Sequence, residues 1–358
     1  MSSGLTTCDV VVVGGGPAGC AVALALAAHA PSLTATIVEQ SNYEGLRAGE
    51  VLPGLARPLL EQLGIWEAFA GQHYRSVHAA ATSWGEPDMR ENHVLYSMSG
   101  HGWHLERAAF DQWLASEACR RGARLLSGTR LTTVERLPNG WDVRLATGES
   151  IHSRFLVDAT GRRALLARML NSKVRTFDRL AGFVRYFNTN DDDPRTMIEA
   201  VADGWWYTAL LSGGLRVVAC MTDVDIARSL RLNRESEFLG ALRQTRHLRH
   251  LTPAGAMIAR TAASSTLTRP FGEAWLAVGD AAAAYDPLSG QGILRALRSG
   301  ILASYAIGDF LAGRPEGLPR YGQFVEHGFS GYRSAYRRAY GMERRWGNHS
   351  FWKRRLSA

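Results

Sequence analysis

The sequence predicts an α/β chain: a parallel βαβ unit assembled from separated pieces, an antiparallel-sheet region inserted between them, and helices at the C-terminus. Three observations predict it. A β-branched run, Cys8 to Val13, passes through Gly14-x-Gly16-x-x-Gly19 into an alanine- and leucine-rich helix. Two further apolar runs, far downstream, end in Asp158-Ala159-Thr160-Gly161 and in Gly279-Asp280. Between them, Arg175 to Asp223 alternates apolar and polar residues, the period of half-buried antiparallel strands.

Each element follows in order. Cys8 to Val13 reads as a buried parallel strand, Cys20 to His29 as a helix, and Thr34 to Val38 as a second strand ending at Glu39. Arg47 to Pro53 is a loop. Leu55 to Leu63 and Trp66 to Ala70 read as helices broken by Gly64. Ser76 to Trp84, His93 to Ser97 and Gly102 to Leu105 are strand-like, and an amphipathic helix, Ala108 to Arg121, stops at Gly122. Asn139-Gly140 and Thr147-Gly148 are hairpin turns. They join strands Arg130 to Glu135, Trp141 to Leu145 and Ile151 to Val157. Gly182 to Phe187, Trp205 to Leu211 and Leu215 to Met221 are half-buried strands, and a helix lies near Glu235 to Gln244. Trp275 to Val278 is a last buried strand, and helices follow from Gly292.

The glycine loop carries the first chemistry. Gly14 permits a tight turn, Gly16 lets backbone approach a pyrophosphate, and Gly19 lets the helix pack on the strand. The helix N-terminus at Pro17 and Ala18 can hold a phosphate anion. Glu39 stands where an acid accepts hydrogen bonds from an adenosine ribose, with Gln40 beside it. A bare strand–turn–helix would share the glycines but not the acid at that distance.

Composition excludes several classes. The formal net charge is +8 over 358 residues, but Gly331 to Ala358 holds eight Arg/Lys against Glu343 alone, so the body is nearly neutral and is not a nucleic-acid-binding surface. Tyr332, Tyr336 and Tyr340 recur at i+4 in that tail. They suit either docking on an acidic or membrane surface or packing on the body. No apolar run is long enough to span a membrane, and four cysteines without CxxC spacing indicate neither a metal site nor a disulfide framework, as expected in a reducing cytoplasm.

Taken together, Gly14–Gly19, Asp158–Gly161 and Gly279-Asp280 resemble, along the whole chain, the FAD-dependent monooxygenases and halogenases of the para-hydroxybenzoate hydroxylase fold. The likeness implies a discontinuous, glutathione-reductase-like Rossmann-type FAD-binding domain over 1–75, 100–170 and 270–310. It implies an antiparallel-sheet substrate domain over 76–99 and 171–269, and a C-terminal helical segment over 311–358. FAD would be held by Gly14, Gly16, Pro17, Ala18, Gly19, Glu39, Gln40, Arg47, Arg107, Asp158, Gly161 and Asp280. The Asp286-Pro287-Leu288-Ser289-Gly290-Gln291-Gly292-Ile293 segment would pass the isoalloxazine ring, with Pro287, Gly290, Gly292 and Ile293 beside it.

Within that group, Arg47-Ala48-Gly49-Glu50 and Gly204-Trp205-Trp206-Tyr207 look like the halogenase branch. Flavin halogenases need a lysine before the central Asp-x-x-Gly turn, and here none precedes Lys173. A permanently protonated arginine is a poor substitute. Gly102-Trp103-His104-Leu105-Glu106-Arg107, Gly204-Trp205-Trp206-Tyr207 and the ending Glu343-Arg344-Arg345-Trp346 with Phe351-Trp352 are similar to flavoprotein maturases that hydroxylate a tryptophan of a partner protein during tryptophylquinone biogenesis. The resemblance therefore implies hydroxylation of an electron-rich aromatic ring through a flavin C4a-hydroperoxide. O2 would be the co-substrate, with NAD(P)H or a separate flavin reductase as electron source. The substrate is peptidyl tryptophan or a small aromatic molecule, the latter as in secondary-metabolite tailoring. A geranylgeranyl-reductase-like flavin reductase and a plain oxidase are rival classes. His104 and Glu50 are the acid–base candidates. Trp84, Trp103, Trp205, Trp206 and Tyr207 are the candidate pocket lining.

Overall fold

The computed structural model describes residues 6–93 and 100–356. Its first sheet has eight strands. Thr6–Val13 lies at its centre, parallel to Ser150–Asp158 on one side and Ala35–Val38 on the other. Arg124–Leu126 and Trp275–Ala277 extend it in parallel. Val10, Val11 and Val12 are fully buried, as continuous apolar runs in a sheet covered on both faces must be. Helix Pro17–His29 is apolar all round, and every residue from Pro17 to Leu26 is buried. It packs on helix Gly292–Leu311 so closely that a Cβ on Gly300 would lie 2.6 Å from the Ala18 carbonyl oxygen. The predicted meander forms from Leu131–Leu137, Gly140–Leu145 and Ser150–Asp158.

The second sheet has seven strands. Leu180–Asn188, Leu215–Asp223, Gly204–Leu210 and Thr196–Val201 run antiparallel in that spatial order. Met257–Thr261 lies at one end and Ala79–Ser83 with Arg90–His93 at the other. One face is covered by helix Glu235–Arg243, whose Phe238 meets Trp206 edge-on at 5.0 Å. Two small sheets tie the large ones together. One joins Val51–Leu52, Gly102–His104 and Arg75–Val77. The other joins Val174–Thr176, Ser265–Leu267 and Ala283–Ala284.

Some expectations change. The strand expected over Ser76 to Trp84 is two strands in different sheets, broken at His78, because Arg75–Val77 pairs with Gly102–His104 while Ala79–Ser83 joins the large antiparallel sheet. Of the strand expected over His93 to Ser97, residues 94–99 lie outside the described residues; the strand there is Arg90–His93. Strands Thr196–Val201 and Met257–Thr261 had no distinct signal. Helix Gly317–Met342 turns Tyr321, Tyr332, Tyr336 and Tyr340 inward, so its tyrosines serve packing on the body. A short helix, Ser350–Leu356, follows.

Candidate functional site

The glycine loop is shaped by contacts that exclude side chains. Gly14 has φ 112°, and a Cβ there would collide with the carbonyl of Ala159, so the Asp158–Gly161 turn packs directly on the loop. A Cβ on Gly19 would collide with the Gly14 carbonyl. Gly16 is different: no heavy atom lies within 4 Å of where its Cβ would point, and the same holds for Gly161 and Gly292. The space in front of Gly16, at the N-terminus of Pro17–His29, is thus open and could hold a pyrophosphate. Ala18 abuts the Gly279-Asp280 segment, 2.8 Å from a Cβ on Gly279.

A polar network extends from this loop. The Gly15 N–H donates to Glu39 Oε2 at 2.8 Å, and the Ser41 N–H to Glu39 Oε1 at 2.9 Å. The Ser41 hydroxyl also donates to Oε1, at 2.5 Å, so Oε2 is the oxygen that keeps a second lone pair for a ribose hydroxyl. Gln40 accepts from Arg163 at 3.0 Å. Arg47 reaches Asp111 at 2.8 Å, and Arg107 reaches the same buried carboxylate at 3.2 Å. Arg107 also donates to the carbonyls of Ala48 and Gly49 at 3.0 and 3.1 Å, fixing the segment that carries Glu50. Burial opposes the Arg107 charge, but Asp111 beside it raises the guanidinium pKa overall. Asp111 was not expected here, although its i+4 spacing from Arg107 was a readable signal.

The acids of the two later motifs differ in role. Asp158 is fully buried and accepts from Thr160 N–H at 2.9 Å and Ala167 N–H at 2.7 Å. Its carboxylate therefore organises its own turn and the helix that follows, and is not turned toward a ligand. Asp280 is partly exposed and pairs with Arg162 at 3.2 Å, leaving an oxygen accessible. Asp286 caps the turn Pro287–Ser289 by accepting from Leu288 N–H at 2.8 Å. The Tyr340 hydroxyl donates to its carboxylate at 2.8 Å, and the Asp286 N–H donates to the Tyr332 hydroxyl at 3.0 Å. Burial pushes Asp286 up to about 6. Gly290 has φ 61°, and a Cβ there would lie 3.4 Å from the Val51 side chain, while Ile293 is buried.

That last contact locates Glu50, the residue before Val51. Glu50 is 3% exposed and receives the hydroxyls of Tyr186 at 2.5 Å and Tyr207 at 3.3 Å. Burial raises its carboxyl pKa, and the Tyr186 hydrogen bond partly offsets this. Tyr186 pairs with Val217 and Tyr207 with Ala219 across the shared strand Leu215–Asp223, which puts both tyrosines on one sheet face. Tyr186 was missed because only this register brings it to Glu50.

His104 does not fit its expected role. It is fully buried, Nδ1 lies 2.8 Å from the Leu210 carbonyl, and Nε2 lies 2.8 Å from the Thr196 hydroxyl. Burial pushes its pKa down to about 4. Both nitrogens are engaged, so it is a neutral cross-link between the small sheet and the large one.

The five aromatic residues do not converge either. Trp205 and Tyr207 share one sheet face, but Trp206, between them, lies in the core under Phe238. Trp205 donates to the Tyr340 hydroxyl at 3.0 Å. Trp84 packs on Trp205, Tyr340 and Trp352, with ring centroids 5.3–6.4 Å apart. Trp103 packs on Trp66 and Phe69. Only Tyr207 reaches Glu50.

Comparison with known proteins agrees with this geometry. A family described as an FAD binding domain matches residues 7–322. LodB of Marinomonas mediterranea, named as an FAD-dependent oxidoreductase, is 30% identical over 97% of this chain and 96% of its own length. The myxobacterial chondrochloren halogenase CndH superposes with a TM-score of 0.88 at 21% identity, covering 98% of this chain and 86% of that one, a likeness of fold. QhpG, a peptidyl tryptophan dihydroxylase essential for tryptophylquinone cofactor biogenesis, superposes with a TM-score of 0.75 at 26% identity, over 98% of this chain and 79% of its own.

Proposed function

The chain belongs to the FAD-binding-domain family, and on that premise we propose that it hydroxylates an electron-rich aromatic ring, with a tryptophan side chain of a partner polypeptide as substrate. The observation that carries the reading is Glu50. Where a halogenase needs a lysine, this chain has none before Lys173, and the ionisable group beside the Gly290 loop is a buried carboxyl held by two tyrosines. Such a group can accept a proton from an aromatic ring that is losing one after oxygen insertion. The likeness to QhpG supports tryptophan as that ring.

The fit to the cofactor rests on the open space before Gly16, Gly161 and Gly292 and on the polar groups around it. Gly16, Pro17 and Ala18 would hold the pyrophosphate, Glu39 the ribose, and Asp280 the ribityl chain. Arg107 holds the Ala48–Gly49 segment against the site. The reduced flavin supplies the activation of O2, with NAD(P)H or a partner reductase as electron source. The residues of this chain supply the rest. The Gly290 turn and Val51 close one wall, and Tyr186 with Tyr207 close another and keep water from Glu50. Glu50 takes the ring proton at Oε1 or Oε2, and Tyr186, which donates to it at 2.5 Å, holds the carboxylate in place.

The test is a single-turnover reaction in ¹⁸O2 with reduced holoenzyme and a tryptophan-bearing peptide, read by mass spectrometry. Label in the indole is the expected result. Peroxide release with unlabelled peptide and unlabelled small indoles would refute the proposal.

A further inference from the structure

One arginine that the sequence motifs do not single out joins three separated segments around the open space. Arg162 follows Gly161 in the short turn Gly161–Arg163, just after strand Ser150–Asp158. Its guanidinium is spent on three acceptors. Nη1 donates to the Ala263 carbonyl at 2.5 Å, Nη2 donates to the Tyr285 carbonyl at 2.6 Å, and Nε pairs with Asp280 Oδ2 at 3.2 Å. Ala263 lies just past the edge strand Met257–Thr261 of the antiparallel sheet, Asp280 lies in the turn Gly279–Ala281, and Tyr285 precedes the Asp286–Ile293 segment.

The Tyr285 contact is half of a clamp. The Tyr285 carbonyl and the Asp286 N–H belong to one peptide unit, and that N–H donates to the Tyr332 hydroxyl at 3.0 Å. Tyr332 in turn bonds the hydroxyl of Ser264, the neighbour of Ala263, at 2.6 Å. The peptide is thus held at both edges, and both holds return to Ala263-Ser264. A planar peptide with both polar groups engaged cannot rotate without breaking a hydrogen bond.

The Asp280 contact has an electrostatic side. Its turn is anchored by the Gly279 N–H, which donates to the Ser299 hydroxyl at 2.8 Å, and it abuts Ala18 at the N-terminus of Pro17–His29. Among the described residues, Arg162 is the cation within ion-pair distance of Asp280, and Arg107 lies farther off but still within reach of its charge. An anionic pyrophosphate in front of Gly16 would be repelled by a bare Asp280. The Arg162 guanidinium offsets that charge at Oδ2 and leaves Oδ1 to accept from a hydroxyl.

We propose that Arg162 is a positioning residue for FAD. It holds the Asp280 carboxylate and the Tyr285–Asp286 peptide at one fixed spacing, so that the acid for the ribityl chain and the segment for the ring are presented together. A lysine would bring the charge but not the fork that spans three acceptors. The inference rests on the FAD site of the family and not on the hydroxylation reading.

The experiment titrates apoprotein with FAD, read by quenching of flavin fluorescence, with no substrate present. In Arg162→Met the FAD dissociation constant rises about tenfold or more. Asp280→Asn also weakens binding, and the double variant loses clearly less than the product of the two single losses, because both changes remove one shared contact. Arg162→Lys binds FAD between wild type and Arg162→Met, and it carries the same cycle where the apoprotein melt shows that the Met variant has not folded. Wild-type FAD affinity in Arg162→Met or Arg162→Lys, or single losses that simply multiply in the double variant, overturns the proposal. A holoenzyme that behaves as described yet releases only peroxide refutes hydroxylation and leaves the Arg162 assignment standing.

Discussion

Replacing Asp286 by Asn should make the protein gain stability, relative to wild type, as pH rises. The carboxyl is 3% exposed, and burial moves it from an ordinary 3.8 to about 6. That shift of roughly two units corresponds to about 3 kcal/mol. The folded state therefore binds the Asp286 proton more tightly than the unfolded chain does. The contribution to stability is full below the unfolded pKa and is lost as pH rises through the folded value of about 6. Asn does not titrate. Its Oδ1 can still accept from Leu288 N–H, and its amide can donate to the Tyr340 hydroxyl, which has a lone pair beyond the one used by Trp205. Any fixed cost of the substitution is independent of pH, and every other titrating group cancels in the difference. Urea unfolding of both proteins should thus show the difference moving in favour of the variant by roughly 1.5 kcal/mol between about pH 5 and about pH 8. A difference that stays flat, or moves the other way, would refute the claim that the Pro287–Ser289 turn is capped by a buried, reluctantly ionised acid.

Other perturbations separate chemistry from scaffold. Glu50→Gln should lower single-turnover hydroxylation about 100-fold while FAD remains bound, and an unchanged rate removes Glu50 from proton transfer. His104→Ala should cost about 2–4 kcal/mol in urea unfolding, because it leaves a cavity and strands the Leu210 carbonyl and Thr196 hydroxyl. Wild-type stability with lost turnover would return His104 to the chemistry. Gly16→Ala should leave the apoprotein melting temperature unchanged, since the position is extended and open, yet weaken FAD binding about tenfold or more. Gly14→Ala should impair both, because it meets the Ala159 carbonyl at a positive φ. Titrations with FAD and thermal melts would distinguish the two.

The glycine loop was legible because its determinants are local. Glycine spacing, a β-branched strand before and an acid after specify one turn, and its distant contacts, with the Ala159 carbonyl and with the Gly279 and Gly300 backbone, only close space around it. The Glu50 region was less legible because register decides it. Trp205-Trp206-Tyr207 reads as one aromatic patch, but a strand sends adjacent residues to opposite faces. Trp206 therefore packs under Phe238 while its neighbours face the other way. His104 had the right type and the right strand, but its fate was fixed by Leu210 and Thr196, more than ninety residues away. Tyr340, 54 residues beyond Asp286, could not be paired with it from sequence for the same reason.

The basic C-terminus shows how charge misleads until partners are known. Counted along the chain, its arginines suggest an acidic docking partner. In the structure, Arg354 and Arg355 hold Asp223 at the end of the central strand, and Arg345 holds Glu343, which receives the Gly85 N–H at 2.7 Å. The Trp352 indole donates to the Val201 carbonyl at 2.9 Å and the Trp84 indole to the Ala339 carbonyl at 2.7 Å. These contacts strap the helices across the antiparallel sheet, so three of the tail's cations are spent on the fold, while Arg338, Arg344 and Lys353 stay exposed and keep their charge at the surface.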